Sequence, residues 1–201
     1  MHPQLSKIKL ELYCLLFLQQ AVFVEMKGAM CILTALLLVI TLALVGADQA
    51  VKYWASVSLQ PKGSIDFIHF GNFKLFDLTY LENDGAIFGS MSGKRWFLIG
   101  FTSLILIVGV VILLKYRKRS KLLTSSLLLF VSGGVGNLID RIRYGYVIDM
   151  FEFKPFKFAI FNVADIYVTL AVALIIIYIL FVDAKLEKNQ KKITEKAEKH
   201  D

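Results

Sequence analysis

The feature that most constrains this chain is a set of polar side chains lodged beside long apolar runs. GGVGNLIDRIRYGYVIDM (Gly133 to Met150) and FNVAD (Phe161 to Asp165) put Asn137, Arg141, Asp149, Asn162 and Asp165 next to segments apolar enough to cross a bilayer. Hydrocarbon penalises each such group, so membrane segments keep them mainly where function needs them. Asp149 and Asp165 are therefore the candidates for a catalytic pair.

Hydrophobic residues make up 57% of the 201, too many for an ordinary soluble domain and right for a small polytopic membrane protein. The net charge of +7 does not point to nucleic acid, because the basic residues flank apolar runs and form no face of their own. Cys14 and Cys31 lie in apolar sequence and read as buried thiols. His2, His69 and His200 are too far apart to keep metal-ligand spacing, so no metal site is expected.

Four spans are expected, from about Ala29 to Ala47, Trp96 to Leu114, Leu122 to Ile139 and Val163 to Val182. Leu10 to Val24 is apolar but short and is interrupted by Glu11, Gln19 and Gln20, which makes it a weak spanning candidate. Residues 1–25 thus read as an extension, either dispensable or lying on the inner leaflet. A membrane domain follows over 26–184, and 185–201 form a charged tail. KYRKRSK, between spans two and three, carries five basic residues and no acid. By the positive-inside rule this loop and the tail are cytoplasmic, both termini with them, and the loops Asp48 to Arg95 and Asp140 to Ile160 face the other side. The first outer loop holds FKLFDLTYL (Phe73 to Leu81), whose alternation predicts a strand in a small sheet, followed by a turn at Asn83, Asp84 and Gly85. The expected fold is an all-α membrane protein: four transmembrane helices with a small β-containing extracytoplasmic loop region.

This topology gathers the polar residues at one level. Gly133, Asn137 and Arg141 form an i, i+4, i+8 stripe ending the third helix, and Gly133, Gly134 and Gly136 allow close approach of a neighbour. Asn162 and Asp165 open the fourth helix, with Thr169 a turn deeper, and Asp48 and Lys52 end the first. Two carboxylates close together at low dielectric tend to share one proton, an arrangement suited to peptide hydrolysis. The same spacing also fits a solvated Asp149 and an Asp165 that caps the fourth helix. Spacing alone does not choose between them.

Four segments in order resemble a known family: DQAVK (Asp48 to Lys52), NDGAIFG (Asn83 to Gly89), GGVGNLIDRIRYGYVIDM and FNVADIYVTL. They are similar to the signature boxes of bacterial lipoprotein signal peptidase (signal peptidase II), and the likeness spans about Met26 to Val182. The resemblance implies an integral-membrane aspartic protease of the bacterial inner membrane whose catalytic aspartates are Asp149 and Asp165. It implies removal of the signal peptide from a prolipoprotein, with the cut before a cysteine carrying diacylglycerol. Met150 stands where the family usually has Phe, and Asp84 where it often has Thr, adding charge near the site. Asn137 and Asn162 are expected to donate to the aspartates or to substrate. Arg141 is expected either to hold substrate carbonyls and the site's geometry or to pair with an acid or a lipid phosphate. Asp48 and Lys52 read as a supporting ion pair, Asn83 as part of the outer-loop wall, and Asp140 as interfacial. Trp54, Tyr80 and Trp96 read as interfacial anchors.

The rival readings are a Ser/Lys protease built on Lys52 and Ser56, weakened because nothing in the sequence desolvates Lys52, a proton-coupled transporter, and a non-enzymatic assembly factor. The paired-acid reading expects no metal, nucleotide or disulfide dependence. Prolipoprotein substrates, membrane lipids and a monomeric state are the expected partnerships.

Overall fold

The computed structural model describes the backbone of residues 3–86 and 90–183, and side chains within 31–86 and 90–182. Ile87, Phe88 and Gly89 of the second signature segment, and the tail expected over 185–201, lie outside the described residues. The chain divides into two compact units, Met1–Ile40 and Thr41–Asp201. The first consists of the N-terminal stretch of a long helix; the second contains all the elements that build the candidate site.

Helix α1 covers Pro3–Ser58, α2 Arg95–Tyr116, α3 Lys121–Arg143 and α4 Val163–Ile177, the last prolonged by a π-helical stretch Tyr178–Asp183. Among the described residues, four helical segments are long and apolar enough to cross a membrane: Cys31–Ser58, Arg95–Tyr116, Lys121–Arg143 and Val163–Val182. The first span runs beyond Ala47 because DQAVK continues the helix. Most of its charge is neutralised within the protein (see below), so nothing there forces an end. Much of the apolar surface of these helices stays exposed, including Leu42, Phe101, Leu104, Ile107 and Phe181, as lipid solvation requires. Cys31 is also exposed. An apolar run does not bury its residues when its surroundings are lipid, which corrects the expectation of a buried thiol.

Glycine sets the helix packing. A Cβ at Gly133 would collide with the backbone carbonyl of Ala164 and come within 2.9 Å of Val168, so α3 and α4 touch almost backbone to backbone. A Cβ at Gly134 would meet Leu106 of α2 at 2.5 Å, and Gly109 of α2 lies against Phe130 and Val131 of α3.

A three-stranded antiparallel sheet, in the order β1 (Ser64–Phe70), β2 (Phe73–Asn83) and β3 (Val147–Phe153), accompanies this bundle. The sequence alternation located β2 but neither neighbour. Strand β1 (SIDFIHF) is exposed at most positions, and β3 (VIDMFEF) is buried on both faces over Val147–Met150, so its apolar and polar residues do not alternate cleanly. Successive β3 side chains point to opposite faces. Ile148 and Met150 pack with Leu78, Ala55 and Leu59, fastening the sheet to the end of α1. Met150 is fully buried there, so the departure at this position is a matter of packing. Beyond β3 the chain returns along it: Met150 and Phe151 N–H both donate to the Phe161 carbonyl, at 3.0 and 2.8 Å. That return brings the start of α4 beside Asp149.

Candidate active site

Asn162 is the N-cap of α4. Its side-chain oxygen accepts from Asp165 N at 3.0 Å, and Asp165 Oδ2 accepts from Asn162 N at 3.1 Å, completing a capping box. The capping role anticipated for Asp165 is therefore real. It does not use up the residue, because Oδ1 also accepts from Asn137 Nδ2 of α3 at 2.8 Å. Nor does it use up Asn162, whose Nδ2 donates to Asp149 Oδ1 at 2.7 Å and to Asn137 Oδ1 at 3.1 Å.

Asp149 is no solvated loop acid. It lies in β3 with 1% of its surface exposed. Val147, two residues earlier, pairs with Asn83 of β2, which puts Asn83 and Asp149 diagonally across one face of the sheet. Asn83 Nδ2 reaches Asp149 Oδ2 at 2.9 Å, while Asn83 Oδ1 accepts from Gly85 N and fixes the turn. Burial pushes the Asp149 carboxyl up to about 7; hydrogen bonds from Asn83 and Asn162 oppose the rise, and the neighbouring Asp165 charge adds to it. Asp84 is exposed and accepts from Ser92, and it is not among the groups that move Asp149.

Arg141 donates from Nη2 to the Gly85 carbonyl at 2.8 Å and so ties α3 to the loop after β2. Of its anticipated roles the geometry favours holding the site together over pairing with an acid. Gly133 contributes no side chain; it lets α4 come close enough for Asn137 to reach Asp165.

Asp48 and Lys52 form the expected ion pair, at 3.0 Å, but the pair is part of something larger. Lys52 Nζ also meets Asp140 Oδ2 at 2.8 Å and Asn137 Oδ1 at 3.0 Å. Asp140 is fully buried, which corrects its reading as interfacial. Judged against Arg141 it lies about 100° around the helix, but it is seven residues from Gly133 and so about 20° off the same face. That spacing is the signal that could have found it. Lys52 is 2% exposed: the fold desolvates it, although nothing in the sequence around it does. The Lys52–Ser56 dyad fails for a different reason. Two carboxylates hold the ammonium, and Ser56 donates to the Tyr53 carbonyl at 2.8 Å.

Asp149 and Asp165 both line a cavity of about 490 Å³. Asn83, Asn137 and Arg141 complete its polar end, and the apolar remainder is walled by Phe158, Phe161, Ile166, Val168 and Leu170, with Thr169 the one hydroxyl among the described residues.

Four apolar spans among the described residues, with a pair of carboxylates lining one cavity, define a polytopic membrane protein with a site at one end of its bundle. The family model described as "Signal peptidase (SPase) II" matches residues 40–181. The chain is 41% identical over 136 residues to the lipoprotein signal peptidase of Streptococcus thermophilus (strain CNRZ 1066), covering 68% of this chain and 86% of that protein. It is 43% identical over 141 residues to the lipoprotein signal peptidase of Clostridium acetobutylicum, covering 69% and 89%. A solved structure described as a bacterial membrane enzyme, determined by the in meso method at 1.9 Å, is similar with a TM-score of 0.65 and 31% identity, covering 74% of this chain and 94% of that one. The chain belongs to the signal peptidase II family and is a multi-pass bacterial membrane peptidase.

Proposed function

We propose that this chain is an aspartic endopeptidase that removes the signal peptide from diacylglyceryl-modified prolipoproteins, cutting before the lipidated cysteine, with Asp149 and Asp165 as its catalytic pair. One observation carries the reading. The side chain and backbone N–H of a single residue, Asn162, donate to the two carboxylates, and both carboxylates line the same cavity.

Their environments suit different roles. Asp149, raised to about 7, holds the proton near neutral pH. Asp165 sits in the first turn of α4, and its two oxygens accept from Asn137 Nδ2 and Asn162 N. In the proposed reaction Asp165 takes a proton from water as the water oxygen attacks the scissile carbonyl carbon, and Asp149 gives its proton to the carbonyl oxygen. The tetrahedral diol then returns a proton to Asp149 while Asp165 protonates the leaving amine, and the C–N bond breaks. The pair ends with the one proton it began with. Asn83, Asn137 and Asn162 hold the acids in register; Arg141 fixes the loop wall and lines the cavity where substrate carbonyls would lie.

A cavity with an acidic end and an apolar remainder matches a substrate whose scissile bond lies next to acyl chains. The chains enter sideways between helices and the peptide lies at the acidic end. The active site faces the extracytoplasmic side and both termini the cytoplasm, as the five basic residues of KYRKRSK indicate. Residues 26–184 constitute the peptidase domain, 1–25 an extension and 185–201 a cytoplasmic tail; the working unit is a monomer among membrane lipids. The test is the pH dependence of cleavage of a lipidated peptide by the purified protein. The rate falls as pH rises through about 7, where Asp149 loses its proton, and Ser56→Ala leaves the profile intact. A rate that climbs through that range, or a loss of activity in Ser56→Ala, would overturn the reading.

A further inference from the structure

The buried charges beside the acid pair are arranged about the backbone that precedes each acid. Asp48 Oδ1 accepts from Ala164 N at 2.9 Å, and Ala164 is the residue before Asp165. Asp140 Oδ2 accepts from Ile148 N at 3.3 Å, and Ile148 is the residue before Asp149. The two carboxylates are joined twice. Lys52 Nζ lies 3.0 Å from Asp48 and 2.8 Å from Asp140, and Gln49 Nε2 lies 3.3 Å from Asp48 Oδ2 and 2.9 Å from Asp140 Oδ1. Gln49 also donates to the Gly136 carbonyl, and Lys52 to Asn137, the residue that holds Asp165.

We propose that Asp48, Gln49, Lys52 and Asp140 form a yoke that sets the separation of Asp149 and Asp165, each carboxylate gripping the peptide N–H before one member of the pair. The inference rests on the aspartic reading above and adds positioning residues to it; Gln49 and Asp140 are the additions. None of the four lines the cavity, so none is placed to touch substrate. Their contribution runs through backbone position. The logic is that the pair comes from different elements, β3 and α4, and neither strand pairing nor helix packing alone fixes their distance. The yoke spans both through α1. One turn of α1 carries Asp48, Gln49 and Lys52, and burial of Asp48 and Lys52 makes the geometry stiff because an ion pair desolvated on both sides cannot swing into water.

The prediction separates positioning from folding. In Asp140→Ala, studied in purified protein whose thermal midpoint shows it folded, kcat for a lipidated peptide falls about 100-fold, the loss that a misplacement near 1 Å brings, while KM changes by no more than about twofold. The basic limb of the pH–rate profile moves as well, because the spacing of the acids sets how strongly one feels the other's charge. Asp140→Asn, which keeps an acceptor for Ile148 N, restores at least about tenfold of that loss. Gln49→Leu leaves every charge in place and lowers kcat about tenfold with the same displaced limb. A wild-type kcat and profile in Asp140→Ala, or a loss with an unmoved limb and no rescue by Asn, overturns the proposal. If Asp140→Ala does not fold, Gln49→Leu decides alone, and wild-type kinetics there overturns it. Asp149→Asn is run alongside. Activity retained in that variant defeats the aspartic mechanism itself, whereas its loss beside wild-type Gln49→Leu defeats only the yoke.

Discussion

Asp149 couples the chemistry of the site to the stability of the fold. Its folded pKa of about 7 lies above the ordinary 3.8, so the folded protein binds this proton more tightly than the unfolded chain does. The resulting stabilisation is complete below 3.8 and is lost as pH rises through about 7. Asp149→Asn removes the titration and keeps the shape. The account therefore predicts an inactive variant whose melting temperature exceeds that of the wild type at pH 8 and converges with it near pH 4, measured by scanning fluorimetry. Asn162 offers a second test, because it is both a cap and a donor to Asp149. Asn162→Ala costs about 1 kcal/mol of cap stability and lowers cleavage about 100-fold by freeing the acids. Asn162→Ser restores the cap and most of the melting temperature but not the activity, since a hydroxyl cannot span both contacts.

At the scale of elements, the contact between α3 and α4 is set by what Gly133 lacks. A methyl there has no room against the Ala164 carbonyl and Val168, so Gly133→Ala forces the helices apart at a cost of about 1–3 kcal/mol. Its melting temperature should drop and cleavage with it, because Asn137 no longer reaches Asp165. What the sequence made legible follows the same physics. Helices α2, α3 and α4 show as apolar runs, and Asn137, Asn162, Asp149 and Asp165 stand out because apolar neighbours make polar residues conspicuous. Strand β3 did not stand out, since VIDM is buried on both faces and carries no alternation. Nor did Gln49, nor the partners of Asp140, because the two residues meet each other across 91 positions and Gln49 reaches the Gly136 carbonyl across 87, contacts that only the fold makes. Lys52 was legible as a partner of Asp48 four residues away, but its bond to Asp140 depends on the packing of α1 against α3.

At the scale of the whole molecule, the account places the sheet end of the bundle outside the cell and the α2–α3 loop inside. With Cys14 and Cys31 replaced by Ser, a cysteine at Asp66 in β1 should react with a membrane-impermeant maleimide in intact spheroplasts, and one at Lys118 between α2 and α3 only after permeabilisation. The opposite pattern would reverse the orientation.

The most direct test of the central claim is a gel-shift assay with purified, lipidated prolipoprotein, comparing wild type with Asp149→Asn and Asp165→Asn. The account predicts that wild type releases the signal peptide and that each variant, folded by its melting curve, leaves the substrate uncut. Cleavage by either variant at a rate near that of the wild type would contradict it.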